Sequence, residues 1–403
     1  MKKKDVLFLC QFFYPEYVSS ATLPYDTAVA LKNAGFSVDA LCGYPHEYAD
    51  GKEVPVKEDV NGIGIHRVKY IQMDRKKFIG RLVNYFSLTF MMAMHLFKLA
   101  KYKSVIVYSN PPLLPWVAAW AKKLFGTRLI FVAYDLYPEI AVRMGALRDG
   151  NIICRLMSHI NQAVYKHADQ VIALSSEMKA YIAENRPIKE DCITVIPNWY
   201  EQQPEETGDR KKDNTFSELI QNRFTVSYFG NMGTAQDMET ILGAMRLLKD
   251  DEGICFLLAG HGNKLDQLRE TVEKEGIGNV YVQSFLRGKA FQDALRISDA
   301  ALVSLEKGLV GLCVPSKTYS YMGQGIPLLA IMEPCDIVSD IESGAGMWVR
   351  NGEADALADA IRKMHDDAES GNAMRNKCRT LFEEKYTTDI CTKQYVNTIQ
   401  KLL

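Results

Sequence analysis

Val314-Pro315-Ser316-Lys317-Thr318-Tyr319-Ser320-Tyr321-Met322-Gly323-Gln324-Gly325-Ile326-Pro327 lies late in a chain whose short apolar runs alternate with helical patterns. Pro315 and Ser316 favour a helix start, which turns free backbone N–H groups and the positive end of the helix dipole toward the preceding loop. A diphosphate could sit there, and Lys317 adds a mobile positive charge. Gly325 stops the helix, and Pro327 leads into a buried strand at 328–331.

Working outward, the same alternation fills the chain. Strands are predicted at 6–10, 37–41, 104–108, 128–132, 170–174 and 193–196, with a helix at 23–33. A second series follows at 224–229, 255–259, 280–282, 300–305, 328–331 and 347–349. Continuous apolar strands separated by helices imply parallel sheets covered on both faces. Such sheets bind ligands beyond the carboxyl ends of their strands, and two facing domains create a cleft there. The expected organisation is a Rossmann-like domain at 1–199, a polar linker at 200–222, a second Rossmann-like domain at 223–385 and a terminal helix at 386–403.

A length of 403 residues exceeds one ordinary core. The formal net charge of -1 argues against a nucleic-acid binder, which needs a basic excess. Nine cysteines, an odd number with no C-x-x-C pair, suit reduced thiols in cytosol. The basic start precedes an apolar run at 6–10 that is too short for a signal-peptide core. At 78–99 a long apolar stretch is interrupted by Arg81, Asn84 and His95 and is too short to cross a membrane. It reads either as a buried helix or as an interfacial one, in which Arg75, Lys76, Lys77, Arg81, Lys98, Lys101 and Lys103 attract anionic headgroups.

Four motifs, Pro315-Ser316-Lys317-x-Tyr319, Asp135-Leu136-Tyr137-Pro138-Glu139, Val195-Ile196-Pro197-Asn198-Trp199 and Phe229-Gly230-Asn231-Met232-Gly233-Thr234-Ala235-Gln236, stand in one order along nearly the whole chain. They closely resemble family 4 glycosyltransferases of the WbuB-like type, which assemble bacterial surface polysaccharides on a two-domain GT-B fold. The resemblance implies a retaining transfer from a nucleotide diphosphate sugar, most simply a UDP-sugar, to a lipid-linked saccharide on the cytoplasmic membrane face. It also implies a last helix that crosses back onto the first domain. No Asp-x-Asp motif occurs, and neither a metal nor a cofactor is expected. No G-x-G-x-x-G follows the first strand, which argues against a dehydrogenase. A GT-B nucleotide-sugar epimerase and a non-catalytic nucleotide-sugar-binding subunit remain alternatives.

Asp135 stands at the carboxyl end of a strand, where it reads either as the group that orients or deprotonates an acceptor hydroxyl or as a cap for the next helix, with Glu139 favouring that helix's dipole. The resemblance puts Asp135, with Glu139, on the acceptor side. Gly230, Asn231, Gly233 and Gln236 follow a strand, and the glycines open backbone N–H groups to phosphate. Many family members carry an Arg and a Lys where this chain has Asn231 and Gln236, so phosphate would be held by backbone dipoles and Lys317. Gly260 and Gly262 resemble the small turn beneath the nucleotide, with His261 as a turn residue. Phe285 and Leu286 fall in the segment that reads the base edge. Leu312 and Ser320 occupy the positions of the family's paired glutamates, leaving Ser320 or Glu306 to bond a hydroxyl and the Gly311–Leu312 backbone to approach the sugar. The loop with Tyr14, Ser19 and Ser20 borders donor phosphate and acceptor in the family, and otherwise reads as an ordinary surface loop.

Overall fold

The computed structural model describes residues 3–45, 53–74, 78–201, 209–212 and 214–403. They form two compact units: Met1–Asn198 with Gly311–Val314 and Asp389–Leu403, and Trp199–Val310 with Pro315–Thr388.

The first unit contains β1 (Lys4–Cys10), α1 (Ser19–Asn33), β2 (Val38–Gly43), β3 (Lys57–Val60), β4 (Ile63–Val68), α2 (Phe78–Ala93), α3 (Leu96–Leu99), β5 (Tyr102–Tyr108), α4 (Pro115–Phe125), β6 (Arg128–Ala133), α5 (Glu139–Arg143), α6 (Ile152–His167), β7 (Gln170–Ala173), α7 (Ser176–Asn185) and β8 (Ile193–Val195). Its sheet runs β3-β4-β2-β1-β5-β6-β7-β8, parallel throughout except for β3 against β4. Val6, Phe8 and Leu9 of β1 are fully buried, as a strand covered on both faces requires. The antiparallel β3–β4 hairpin was not expected. Asn61 and Gly62, both at positive φ, make its turn.

The second unit contains α8 (Ser217–Ile220), β9 (Phe224–Asn231), α9 (Met238–Leu247), β10 (Ile254–His261), α10 (Leu265–Glu275), β11 (Val280–Ser284), α11 (Gly288–Ile297), β12 (Ala300–Ser304), α12 (Lys317–Gly323), β13 (Leu328–Ile331), α13 (Asp336–Asp340), β14 (Gly346–Val349), α14 (Ala354–Asp366) and α15 (Ala368–Lys385). Its all-parallel sheet runs β11-β10-β9-β12-β13-β14. The last helix, α16 (Thr388–Leu402), lies almost wholly in the first unit, where Tyr395 is buried beside Tyr108 and Tyr134 at the ends of β5 and β6. All twelve expected strands are present, and the fold is two parallel-sheet α/β domains.

Two expectations need correction. The stretch 200–222 is no free linker. Residues 202–208 and 213 lie outside the described residues, but Arg210 and Lys211 both pair with the buried Asp299, Asn214 donates to the Asp293 carbonyl at 2.7 Å, and Phe216 and Ile220 are buried. Polar composition hid these anchors. Nor is 78–99 a single helix: it breaks near His95 into α2 and α3. Asn84, which seems to interrupt its apolar pattern, is buried because its amide accepts from Met73 N–H at 2.7 Å and donates to Met73 C=O at 2.9 Å. Arg75, Lys76 and Lys77 lie outside the described residues.

In each sheet the strand order reverses once, between β1 and β5 and between β9 and β12. At such points the loops part and leave a crevice at the strand ends. In the second unit the crevice depends on glycine. Gly230 and Gly260 are paired in register on β9 and β10, and a Cβ at Gly260 would stand 1.8 Å from the Gly230 carbonyl oxygen. Gly260→Ala should therefore cost about 1–3 kcal/mol by overpacking, read as a lower urea midpoint. An unchanged midpoint would show that the two strand ends can move apart freely.

Candidate active site

In the second unit β12 pairs with β9 only at Ala300–Val226 and Ala301–Ser227, after which the strands diverge. The Phe229 N–H, left without a ladder partner there, donates to the Tyr321 hydroxyl of α12 at 2.7 Å. This bond fastens α12 to the end of β9 and sets Lys317, its first residue, over the strand. The Lys317 ammonium lies 3.4 Å from the centre of the Tyr228 ring and 3.8 Å from where a Gly230 Cβ would stand. The amine is buried with no hydrogen-bond partner, and burial holds its pKa well below the usual 10.5. Lys317 is thus a fixed group, not the mobile surface charge expected from sequence. The helix dipole is also a smaller contributor than expected, because α12 is only seven residues long and the N–H groups of Thr318 and Tyr319 are already accepted by Pro315 and Ser316 carbonyls. Pro315 is half-buried and Ser316 exposed just ahead of it.

The neighbouring loops are laced together. Met232 N–H donates to the His261 carbonyl at 2.6 Å, and Gly233 N–H to the Gln236 side-chain oxygen at 2.9 Å. Gln236 therefore shapes its own loop, and α9 starts at Met238 with Asp237 as its cap. The Asn231 amide tucks between Gly233 and Gly262, where side chains would stand 2.9 and 2.8 Å from it. Glu306 is held by Lys264 at 3.3 Å, and Lys264 also donates to the Gln236 carbonyl at 2.8 Å. Ser320 spends its hydroxyl proton on the Lys317 carbonyl at 2.8 Å within the helix. Lys264 was not anticipated, since nothing in its spacing separates it from an ordinary loop lysine. At the end of β11, Phe285 is 40% exposed, with the His261 ring edge-on at 5.2 Å and the Arg287 guanidinium 5.6 Å away. Leu286 beside it is half-buried. The His261 pKa is lowered, first by burial and then by the Lys317 charge.

Gly311 and Leu312, expected beside the donor, belong to the first unit. Leu136 N–H donates to the Leu312 carbonyl at 2.9 Å, and Cys313 forms an antiparallel bridge with Asp135. Gly311 has φ 80°, with the Glu177 carbonyl 3.2 Å from where its Cβ would be.

Asp135 caps no helix. Pro138 holds the cap position of α5 without a side-chain bond. Instead the Ser109 hydroxyl accepts from both Tyr134 and Asp135 N–H groups at 3.0 Å, which fixes the turn that carries the carboxylate. Burial raises the Asp135 pKa to about 6. Two further polar groups stand at the same end of the sheet: Gln11 Oε1 and Asn110 Oδ1 are buried without a partner. Glu139 is tied up by Arg186 at 2.6 Å, whose guanidinium also lies over Tyr165. Tyr14 stacks on Tyr25 at 5.0 Å, and its carbonyl accepts from the buried Arg67 at 2.7 Å. Ser19 and Ser20 open α1 rather than extending the loop. Ser109, Gln11 and Arg67 had no motif to announce them.

Residues 21–199 match the Glycosyl transferase 4-like domain, and residues 209–380 match Glycosyl transferases group 1. The chain is a family 4 glycosyltransferase. It is 25% identical over 343 residues to the probable glycosyltransferase WbjE of Pseudomonas aeruginosa, covering 83% of this chain and 84% of that one. It is 24% identical over 208 residues to the putative colanic acid biosynthesis glycosyl transferase WcaI of Escherichia coli (strain K12), about half of each chain. The fold is GT-B. The crystal structure of WaaG, a glycosyltransferase involved in lipopolysaccharide biosynthesis, superposes with TM-score 0.71 at 13% identity, covering 98% of this chain and 99% of that one. Anabaena HepE in complex with UDP and glucose gives TM-score 0.73 at 16% identity over the same shares. As a group 1 glycosyltransferase the protein is a transferase of the EC 2.4 class.

The Lys317 amine costs stability while it has no partner. Lys317→Met should raise the stability of the ligand-free glycosyltransferase by about 1 kcal/mol while weakening nucleotide-sugar binding roughly tenfold to a hundredfold, read by thermal melts with and without nucleotide sugar. Lower stability with unchanged binding would contradict this. Between pH 3.8 and about 6 the folded protein keeps a proton on Asp135 that the unfolded chain has released, so this group's contribution to stability falls as pH rises through that window. The carboxylate becomes available to a hydroxyl above about pH 6. Transfer should therefore rise with pH through about 6, and Asp135→Asn should flatten that limb and slow transfer about a hundredfold. A limb retained in the variant would remove Asp135 from it.

Proposed function

We propose that this glycosyltransferase moves a sugar, with retention of anomeric configuration, from a UDP-sugar to a lipid-linked saccharide on the cytoplasmic membrane face, building a surface polysaccharide such as a capsule, O-antigen or exopolysaccharide. The observation that carries the reading is the buried, unpartnered Lys317 amine at the β9–β12 strand ends. A diphosphate is the chemistry that completes it, since an anion there recovers the charge that burial suppresses. Gly230 places no side chain beside the Lys317 amine, where a phosphate would come, and exposed Phe285 offers a flat face to a base. The complexes of HepE with UDP and UDP-glucose, and the likeness to WcaI of colanic acid biosynthesis and to WaaG of lipopolysaccharide biosynthesis, support the donor and pathway class.

In this reading the anomeric carbon–oxygen bond to the diphosphate breaks, Lys317 stabilises the negative charge that develops on the departing oxygen, and the acceptor hydroxyl bonds the same face of the sugar as its proton passes to that departing diphosphate oxygen. Asp135 orients that hydroxyl. Most of the rate comes from alignment and charge stabilisation, with no bound metal assigned a step. Ser320 has a smaller part than sequence suggests, because its proton is already committed.

Purified enzyme given a panel of UDP-, GDP- and dTDP-sugars with a lipid-linked saccharide should consume one UDP-sugar, and NMR of the product should show the donor's anomeric configuration. An inverted product would overturn retention. Conversion of the donor without acceptor would favour an epimerase.

A further inference from the structure

Helix α2 is apolar on two sides. Inward, Leu88 and Met92 are fully buried and Asn84 is bonded to Met73. Outward, Ile79, Phe86 and Phe90 repeat at seven- and four-residue steps, and Met94 and Phe97 continue the row into α3, each of them between 49% and 78% exposed. A helix packed on one side only normally shows polar residues on the other. The outward row also does not stand alone, because α4 packs against α2 and α3 on one side and α6 on the other. Phe97 meets Phe125 of α4 at 5.7 Å, α4 adds half-exposed Trp116 and Trp120, and α6 adds Ile152, 85% exposed.

The charge on these helices is one-sided. In a chain with 48 Lys and Arg against 49 Asp and Glu, α2, α3, α4 and α6 carry six Lys and Arg and no acid. One of the six, Lys122, is neutralised by Asp169 at 2.6 Å. Lys123 instead lies over the Trp120 ring at 5.2 Å. Where α2 meets α3, the His95 ring stacks on His66 at 5.2 Å, and the Lys98 amine is 3.3 Å from His66 Nδ1. Lys57 stands opposite His66 across the β3–β4 hairpin. Among the described residues no carboxylate pairs with this cluster, and the pKa of His66 is lowered to about 4, by burial first and then by Lys98, His95 and Lys57. Burial and the neighbouring lysines keep the two imidazoles neutral, so Lys98 and Lys57 carry the positive charge here, with no carboxylate to neutralise it.

We propose that the α2–α3–α4–α6 face of the first unit docks on an anionic lipid bilayer, its aromatic row entering the headgroup boundary and the His66–His95–Lys98 cluster taking lipid phosphates. Aromatic anchors interleaved with lysine and lacking acid are what an anionic interface selects. A second copy of the chain is the poorer occupant, since a two-fold contact would set this basic face against itself. No helix among the described residues is long and apolar enough to cross a membrane, so the contact is peripheral. The docked helix also leads toward the proposed acceptor site: Arg81 and Tyr85 of α2 lie near enough to Tyr137 to act on its hydroxyl, and Tyr137 neighbours Asp135. That last link rests on the lipid-linked acceptor reading. Docking itself does not.

Co-sedimentation with vesicles of phosphatidylcholine alone, and of equal parts phosphatidylcholine and phosphatidylglycerol, tests the proposal. The full chain should bind the anionic vesicles, more weakly at high salt. Phe90→Glu with Phe97→Glu should lose at least about tenfold in vesicle affinity, and Lys98→Glu with Lys123→Glu should lose the preference for anionic lipid. Both variants should keep the wild-type melt and the UDP-induced thermal shift, which reports the donor site separately. Wild-type vesicle binding by both variants would overturn the proposal, as would no binding of the wild type to either vesicle. It would equally fail if the phenylalanine variant merely turned a dimer into a monomer with lipid affinity unchanged.

Discussion

A lysine amine buried against a tyrosine ring with nothing to bond is the constraint around which the second unit is arranged. Charged or neutral, the group is costly in that place. The surroundings enforce it all the same: Tyr321 fastens α12 to β9, Tyr228 closes the underside, and Gly230 keeps its own side chain out of the way. Because the strands part beyond Ser227, the Phe229 N–H needs a partner from outside the sheet, and the Tyr321 hydroxyl supplies it. The same bond that completes the end of β9 therefore fixes the helix that carries the buried amine. Such a balance is stable when most of the unit's core is well packed, and here Val226, Phe256, Leu258, Ala300 and Leu302 around the strands are all fully buried.

The first unit solves a different problem with similar means. A carboxylate raised to about 6 has to be held at a strand end without a counter-charge, and Ser109 does this by accepting from the Tyr134 and Asp135 backbone N–H groups rather than by binding the carboxylate itself. Arg67 acts likewise on the Tyr14 loop, spending its guanidinium on backbone carbonyls and Glu58. In both cases backbone groups are fixed, which leaves the Asp135 carboxylate and the Gln11 Oε1 atom uncommitted.

Much of this fold was legible because buried parallel strands are written as plain apolar runs, and twelve of them stood out between helical stretches. The Lys57–Val60 strand was not, since it is a short, charged edge strand with no buried residue. Its turn, Asn61-Gly62, carried a hairpin signal that the flanking composition masked. The segment from 311 to 314 fell within the expected second domain, with Gly311 and Leu312 placed beside the donor by resemblance, yet Cys313 pairs with Asp135, nearly 180 residues earlier, a contact that local pattern does not encode. The region around 210–220 looked like linker because its anchors are ion pairs to Asp299, which in sequence resemble any polar run. At the site, Lys317 and Asp135 were readable from motif and position. Their environment was not: burial of one amine and one carboxyl is a property of what packs around them.

Isothermal titration of UDP at pH 9, in two buffers of different ionisation enthalpy, tests the role of Lys317 most directly. At that pH the phosphates of UDP are fully ionised. The account predicts net proton uptake on binding, as the depressed Lys317 amine becomes charged beside the diphosphate, and loss of that uptake in Lys317→Met. Equal heats in both buffers, with the variant binding UDP as tightly as the wild type, would contradict it.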